Sequence, residues 1–326
     1  MMKIRQLIML KQIVEILILL IFFLSLLPRT SFSQVNNDTL NSPKDTLILT
    51  PHYKKFKLKT SDNTEVKDKY KISIWKTGLI TGVTIGAGIW LHNYQKNAWW
   101  SGQRGKFHFQ NDWDYAMSAD KIGHFFDGAF IQALYQGAFE WSGFKPKAAM
   151  WLGSAFSIAY MTDIEIEDGF ASDWGFSPGD ELTNILGALY PVLQQTWEPL
   201  QEFNFKWSYY PSEDLRSGNK QGAFLDDYDG QTMWLSIGVH KFLPKSLKKF
   251  WPEFLNIALG YGVKNYKDYD NRYANYYLAL DFDWKKIIPG KSKFMLWLKN
   301  VLNHFRFLPA PGLRFNKHKT ELIVNY

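Results

Sequence analysis

Apolar residues follow two different periods along the chain. Between residues 72 and about 195 they recur with helical spacing or fill whole stretches. After Pro199 they alternate one for one with small or polar residues. The first helical pattern runs from about Ala119 to Trp141, with Ser118 placed as its N-cap, and Gly143 and Pro146 break it. A second runs from about Lys147 to Asp163 or a little beyond. A third begins with Ser177 as N-cap and Pro178 at the first helical position, and reaches about Gln195. Upstream, residues 72–94 are apolar, with Gly78, Gly82 and Gly86 four apart. On a helix these glycines form one smooth stripe open to another backbone. The β-branched Ile80, Thr81, Val83, Thr84 and Ile85 also suit a strand, so helix and strand both stay open there.

The period of two is clearest in three runs. Leu235, Ile237 and Val239 form the first, Leu255 through Val263 the second, and Tyr276 through Trp284 the third. An amphipathic helix over Phe294, Leu298, Val301, Leu302 and Phe305 follows, then two strands near Leu313–Phe315 and Glu321–Tyr326. The expected fold is α+β: a compact bundle of three to four helices, then an antiparallel β-region. The strands have one large apolar face and one small or polar face, as outer-membrane strands do. About five are too few for a closed barrel, which needs roughly eight. A sheet packed on the helices is the equal alternative.

The ends of the chain set the compartment. Residues 1–33 read as a secretory signal peptide: Lys3, Arg5 and Lys11 precede the apolar run Ile16 to Leu27, and Ser31-Phe32-Ser33 supplies the cleavage signature. An uncleaved anchor helix is the rival reading. Residues 34–70 are a polar tether with one strand at Thr46 to Leu49, 71–198 the helical domain and 199–326 the β-region. There is no cysteine, so disulfides, thiolate metal sites, cysteine catalysis and a lipid-bearing cysteine are excluded. The 17% aromatic content suits either a lipid–water boundary or an aromatic-rich core. Trp99, Trp100, Phe107, His108, Phe109 and Trp113 form an aromatic collar before the first bundle helix. A net charge of +7 suits anionic lipid headgroups or glycolipid phosphates. Lys245, Lys248 and Lys249 make its one cluster, in a loop. Nucleic acid is not expected, because no reading helix, finger or RNA-binding strand motif is present.

Three polar phrases carry the candidate chemistry: Asp120-Lys121-Ile122-Gly123-His124, Glu165-Ile166-Glu167-Asp168, and Gly175 through Asp180 continuing to Asn184 and Gly187. Asp120, His124 and Asp127 share a helix face, as do Asp180, Asn184 and Gly187. Short connections make successive helices antiparallel, which brings Asp120, Lys121, His124, Glu165, Asp168, Asp180 and Asn184 to one end of the bundle. Such a set could hold a divalent metal through His124, Asp120, Glu165, Asp168 and Asp180, or work as an acid/base pair. It could equally be a buried polar network, or unrelated caps and surface charges. No nucleophile triad and no phosphate-binding glycine loop is present.

These residues resemble a known family. Phe107-His108-Phe109, Asp112-Trp113 and Asp120-Lys121-x-Gly-His124, with Glu165-x-x-Asp168 and Gly175-Phe176-Ser177-x-x-Asp180-x-x-x-Asn184-x-x-Gly187, look like the YfiM-like envelope proteins carrying domain of unknown function 2279, over about residues 72 to 195. The C-terminal strands, with Pro309-Ala310-Pro311, look like the longer Bacteroidetes-type form. A looser similarity runs to VanZ-like membrane proteins. This chain has Asp168 but no matching basic residue before Asp180, so no VanZ role is transferred. The resemblance implies a secreted or membrane-associated envelope protein of unassigned activity; the expected location is the outer membrane or its periplasmic face. Its expected partners are membrane lipid or lipopolysaccharide, and other envelope proteins. Three functions stay open: a structural or lipid-associated component, a metal-dependent hydrolase or transferase acting on a phosphorylated lipid or glycan, and an accessory subunit binding partners through the aromatic collar.

Overall fold

The computed structural model of the chain describes residues 70–102, 104–218 and 224–325. The signal peptide, nearly all of the tether and the strand expected at Thr46 to Leu49 lie outside the described residues. Residues 72–94 fold as a helix, α1, spanning Ile74–Ala98. Among the described residues its glycine stripe makes no contact: a Cβ placed at Gly78, Gly82 or Gly86 would meet nothing within 4 Å.

The bundle proper consists of α2 (Ala119–Trp141), α3 (Pro146–Phe170) and α4 (Pro178–Thr196). Small residues set their separation. A Cβ at Gly128 would lie 2.6 Å from the Asn184 carbonyl, and one at Gly187 would collide with the Phe125 backbone, so α2 and α4 cross with backbones touching. A Cβ at Gly153 would lie 2.9 Å from the Gln132 carbonyl, which makes α3 equally close to α2. The Ser157 hydroxyl donates across this gap to the Gly128 carbonyl at 2.7 Å.

Two helix boundaries differ from expectation. Ser118 does not cap α2. It has φ 65°, at the end of a left-handed run that includes Ala116 and Met117, and its hydroxyl donates to the Trp113 carbonyl at 2.7 Å. Such a run is costly for residues with a Cβ. It is held by burial of Ala116 and by the Tyr261 hydroxyl, which donates to the Met117 carbonyl at 2.6 Å. The second boundary is the end of α3, about two turns later than expected. Ile164 and Gly169 keep its inner face packed, so the helix continues through its acidic stretch despite the unfavourable dipole.

The β-region is one antiparallel sheet with strands in chain order: β1 (Phe203–Tyr209), β2 (Gln231–Ile237), β3 (Leu255–Lys264), β4 (Tyr273–Phe282), β5 (Ala310–Phe315) and β6 (Thr320–Asn325). The sequence reading missed β1, although Phe203, Phe205, Trp207 and Tyr209 keep the period of two. It sits directly against a short helical turn, Glu198–Glu202, which hid its start. β1 and β6 are not paired, so the sheet is open. Residues 304–306 line the free edge of β1: Trp207 donates its backbone N–H to His304, and Arg306 donates back to Trp207. The short helices α5 (Glu213–Ser217), α6 (Lys245–Lys248), α7 (Trp284–Ile287) and α8 (Lys293–Leu302) complete the described elements. Of these, α5 belongs to a separate unit and the others to the main body. The loop expected to carry clustered lysines therefore contains the helical turn α6.

Sheet register places Leu235, Leu259, Leu278, Leu313 and Leu322 in one row across five strands. This face packs on the bundle at the β1 side, where Phe205 meets Phe125 at 4.6 Å and Tyr190 at 5.2 Å. Toward β6 it is left exposed, at Leu278, Leu313, Leu322 and Val324. The opposite face is buried around Trp234, Ala258, Tyr277 and Ala279. Ile323 of β6 also reaches this group, so the sheet is strongly curled. Gly260 allows the curl, since a Cβ there would lie 2.6 Å from the Trp234 ring. Inside the curl Lys206 pairs with Asp281 at 2.7 Å, and the Arg306 guanidinium stacks 3.8 Å from the Trp234 ring.

Candidate functional site

The three phrases do meet. Asp120, Lys121 and His124 occupy the first two turns of α2, Glu165 lies in the last two turns of α3, and Asp180 and Asn184 lie in the first two turns of α4. Ser177 caps α4 as expected, its Oγ accepting from the Asp180 N–H at 3.1 Å. The same serine also locks the phrases together. Its hydroxyl donates to Asp112 Oδ1 at 2.5 Å, and its backbone N–H donates to Glu165 Oε2 at 3.3 Å. Before α2, the N–H of His108 bonds to Gly169, and Phe176 and Gln110 bond along the same segment. The end of α3 is thereby tied to the start of α4. Phe107, Phe109, Phe170 and Phe176 stack edge to face around that seam.

Lys121 is the centre of the cluster. Its Nζ lies 2.8 Å from Asp112 Oδ1, 2.9 Å from Asp120 Oδ2 and 2.7 Å from Asp180 Oδ1, with only 4% of the side chain exposed. His124 stands alongside. Its Nδ1 is 3.0 Å from Asn184 Oδ1. Its Nε2 lies 3.7 Å from both Asp120 and Asp180, Glu165 Oε1 is 3.5 Å from Nδ1, and 19% of the side chain faces solvent. Tyr228, from the turn before β2, donates its hydroxyl to Asp120 Oδ1.

Asp168 stands apart from this core. Its Oδ1 accepts from Trp100 Nε1 at 2.5 Å, which joins it to the aromatic collar instead of to His124. Asp127, expected on the His124 face, makes no contact with the cluster that matches those of Asp120. Asp112 and Tyr228 are the residues that sequence reasoning did not assign. Asp112 was visible in the Asp112-Trp113 motif. Tyr228 had no signal, because it arrives from the β-region 108 residues away.

The charges follow from this geometry. Burial alone would lower the His124 pKa, but Asp120, Asp180 and Glu165 outweigh it and hold the imidazolium up to about 9. Burial likewise opposes the Lys121 charge, and Asp120 and Asp180 overcome it and raise its pKa. Asp120 is also penalised by burial, yet His124, Lys121 and the Tyr228 hydroxyl pull it below the usual range. Glu165 is pushed up to about 8, chiefly by burial, and Asp180 to about 7 by burial and the neighbouring Asp120 charge. Burial raises Asp168 to about 6. Two cations thus face one firmly ionised carboxylate and others that take up protons near neutrality.

The donor atoms of Asp120, His124 and Asp180 all lie within 4.8 Å of one another, a spacing that fits one divalent ion. Among the described residues Glu165 Oε1 and Asn184 Nδ2 are buried without hydrogen-bond partners, which would also suit a ligand. The Lys121 ammonium, within 2.9 Å of both aspartates, already holds the position from which a cation would neutralise them.

Fold and cluster together define an α+β protein whose three-helix core closes around a lysine–histidine–carboxylate network. Residues 108–196 match the model of the family described as a predicted periplasmic lipoprotein (DUF2279), which bears out the resemblance to that domain over the helices that hold the cluster and does not extend to the YfiM-like or VanZ-like likeness. α1 and the sheet lie outside the matched stretch. No curated protein and no solved structure matches the chain. The family description supports an exported, cell-envelope location. The sequence contains no cysteine, so none of its residues can carry a thioether-linked lipid.

Proposed function

We propose that the protein is a non-enzymatic component of the cell envelope, seated at the outer membrane or its periplasmic face, in which the cluster orders the helical domain. The carrying observation is the Lys121 ammonium, buried within 2.9 Å of three carboxylates from α2, α4 and the preceding loop. A lysine so placed supplies internally the positive charge that a metal would bring, and its removal leaves like charges facing one another. Lipid or lipopolysaccharide is the partner that suits the net charge of +7 and the exposed apolar sheet face, with envelope proteins as further contacts. His124→Ala tests the reading. The expected result is a lowered melting temperature, with any envelope phenotype of a deletion strain still rescued by the fraction that remains folded. Loss of rescue at unchanged stability would refute it.

One observation favours a second reading. The convergent donors of Asp120, His124 and Asp180, with the unpartnered Glu165 Oε1, are what a metal-dependent hydrolase or transferase for a phosphorylated lipid or glycan would need. In that reading His124 is a ligand or base, and the carboxylates bind the ion or orient water.

A further inference from the structure

We infer that α1 crosses the hydrocarbon layer of a bilayer, with its two ends at the headgroup levels. This rests on the membrane location proposed above and names the segment that provides it. α1 has 25 residues, about 37 Å at ~1.5 Å per residue, against a hydrocarbon core of ~30 Å. Between Lys76 and Lys96 it contains no charged residue, and its polar His92, Asn93 and Gln95 all fall within the last two turns. It is long and apolar enough to span a membrane, yet among its residues only Ile80 and Gln95 are buried. Ile85 and Ile89 are 58% and 60% exposed. A helix that packs in a soluble core buries one stripe, and an interfacial helix has one apolar and one charged face. α1 does neither.

Both ends carry the residues that favour a lipid–water boundary. At the start Lys76 lies over the Trp141 ring, 4.8 Å from its centroid, and Trp75 meets the same ring edge to face. Lys71 precedes α1, and Lys145 and Lys147 stand at the start of α3, which the Ser73 N–H bond to the Ser142 carbonyl brings near; they suit anionic headgroups. At the far end Trp90 stacks on Tyr94, Trp99 meets Trp100, and Lys96 follows the apolar run. The helix touches the bundle through few polar contacts, such as Thr84 with Tyr135 at 3.0 Å. The neighbouring α3 is uncharged from Ala148 to Thr162 and leaves Trp151 and Leu152 exposed, so the apolar surface continues beyond α1. A span of this kind also gives a chain without cysteine the anchorage that a lipoprotein obtains from its lipid.

The absence of native cysteine makes the test direct. Gly82→Cys, Ile85→Cys and Ile89→Cys are introduced singly in the full chain, with Tyr269→Cys as an exposed control outside α1. Envelope membranes, permeabilised so that both faces are reached, are treated with a membrane-impermeant maleimide, which reacts only with hydrated thiolate. The α1 positions should label at least ~10-fold more slowly than the control, and should approach it once SDS with urea dissolves the bilayer and denatures the chain. Labelling as fast as the control, in protein that still fractionates with membranes, would overturn the span while leaving membrane association intact. Recovery of the protein in the soluble fraction would overturn both.

Discussion

Two of the protein's buried lysines have opposite electrostatic outcomes. Lys121, in the bundle, faces Asp112, Asp120 and Asp180, and its pKa is raised. Lys206, inside the curl of the sheet, has one ion pair, to Asp281, with a further bond to the Phe282 carbonyl at 2.6 Å, and its pKa is lowered by burial. Both side chains are almost wholly removed from water. The number of carboxylates decides whether the charge is worth keeping. The bundle is therefore held by cations that each face several carboxylates, whereas inside the sheet Lys206 and Arg306 share Asp281.

Removing the charges should separate the two sites. Lys121→Met leaves buried carboxylates without their common partner and should cost ~3–5 kcal/mol in denaturant unfolding. Lys206→Met leaves Asp281 with the Ser236 hydroxyl at 2.6 Å, and should cost only ~1–2 kcal/mol. The pH dependence should also differ. A lysine with a raised pKa contributes stability that is complete below its unfolded value and lost as pH rises through the folded one. Lys206, with a lowered pKa, does the reverse, and its burial becomes less costly as pH rises toward the unfolded value. Equal losses in the two variants would remove the contrast.

A smaller effect sharpens it near neutrality. His124 is raised from 6.5 to about 9, so its contribution is complete below pH 6.5 and lost as pH rises through 9. Glu165 is raised from 4.5 to about 8, so the folded state holds a proton that the unfolded state has released, and stability again falls as pH rises. Unfolding at pH 6 and pH 9 should show a decline of ~2–3 kcal/mol from the His124 shift. Glu165 and Asp180 add to the decline with the same sign, so in His124→Gln it should shrink but persist. A profile that rises over this range would contradict the assigned charge states.

Much of this was legible in the sequence, and the misses share a cause. Period and breakers located α2, α3 and α4, because their apolar stripes and the Ser177-Pro178 start are local signals. The convergence of Asp120, His124, Glu165, Asp180 and Asn184 followed from antiparallel packing of short-linked helices. What failed depended on tertiary contacts. α3 runs on through its acidic end because Ile164 and Gly169 stay packed, and Ser118 gives up its cap for the Trp113 carbonyl. Asp168 turns to Trp100, which no spacing rule reveals. Tyr228 joins the cluster from another region of the chain, and the expected glycine contact of α1 is not made within it.

The central claim is that Lys121 supplies the charge that holds the cluster. It is tested most directly by the metal content of the purified, folded protein, measured for the wild type beside His124→Ala and Asp180→Ala. The account predicts no stoichiometric divalent metal in the wild type, even after incubation with zinc, manganese or magnesium, and a melting temperature that chelators do not change. A near-stoichiometric ion in the wild type that is lost from both variants would contradict it and establish the cluster as a metal site.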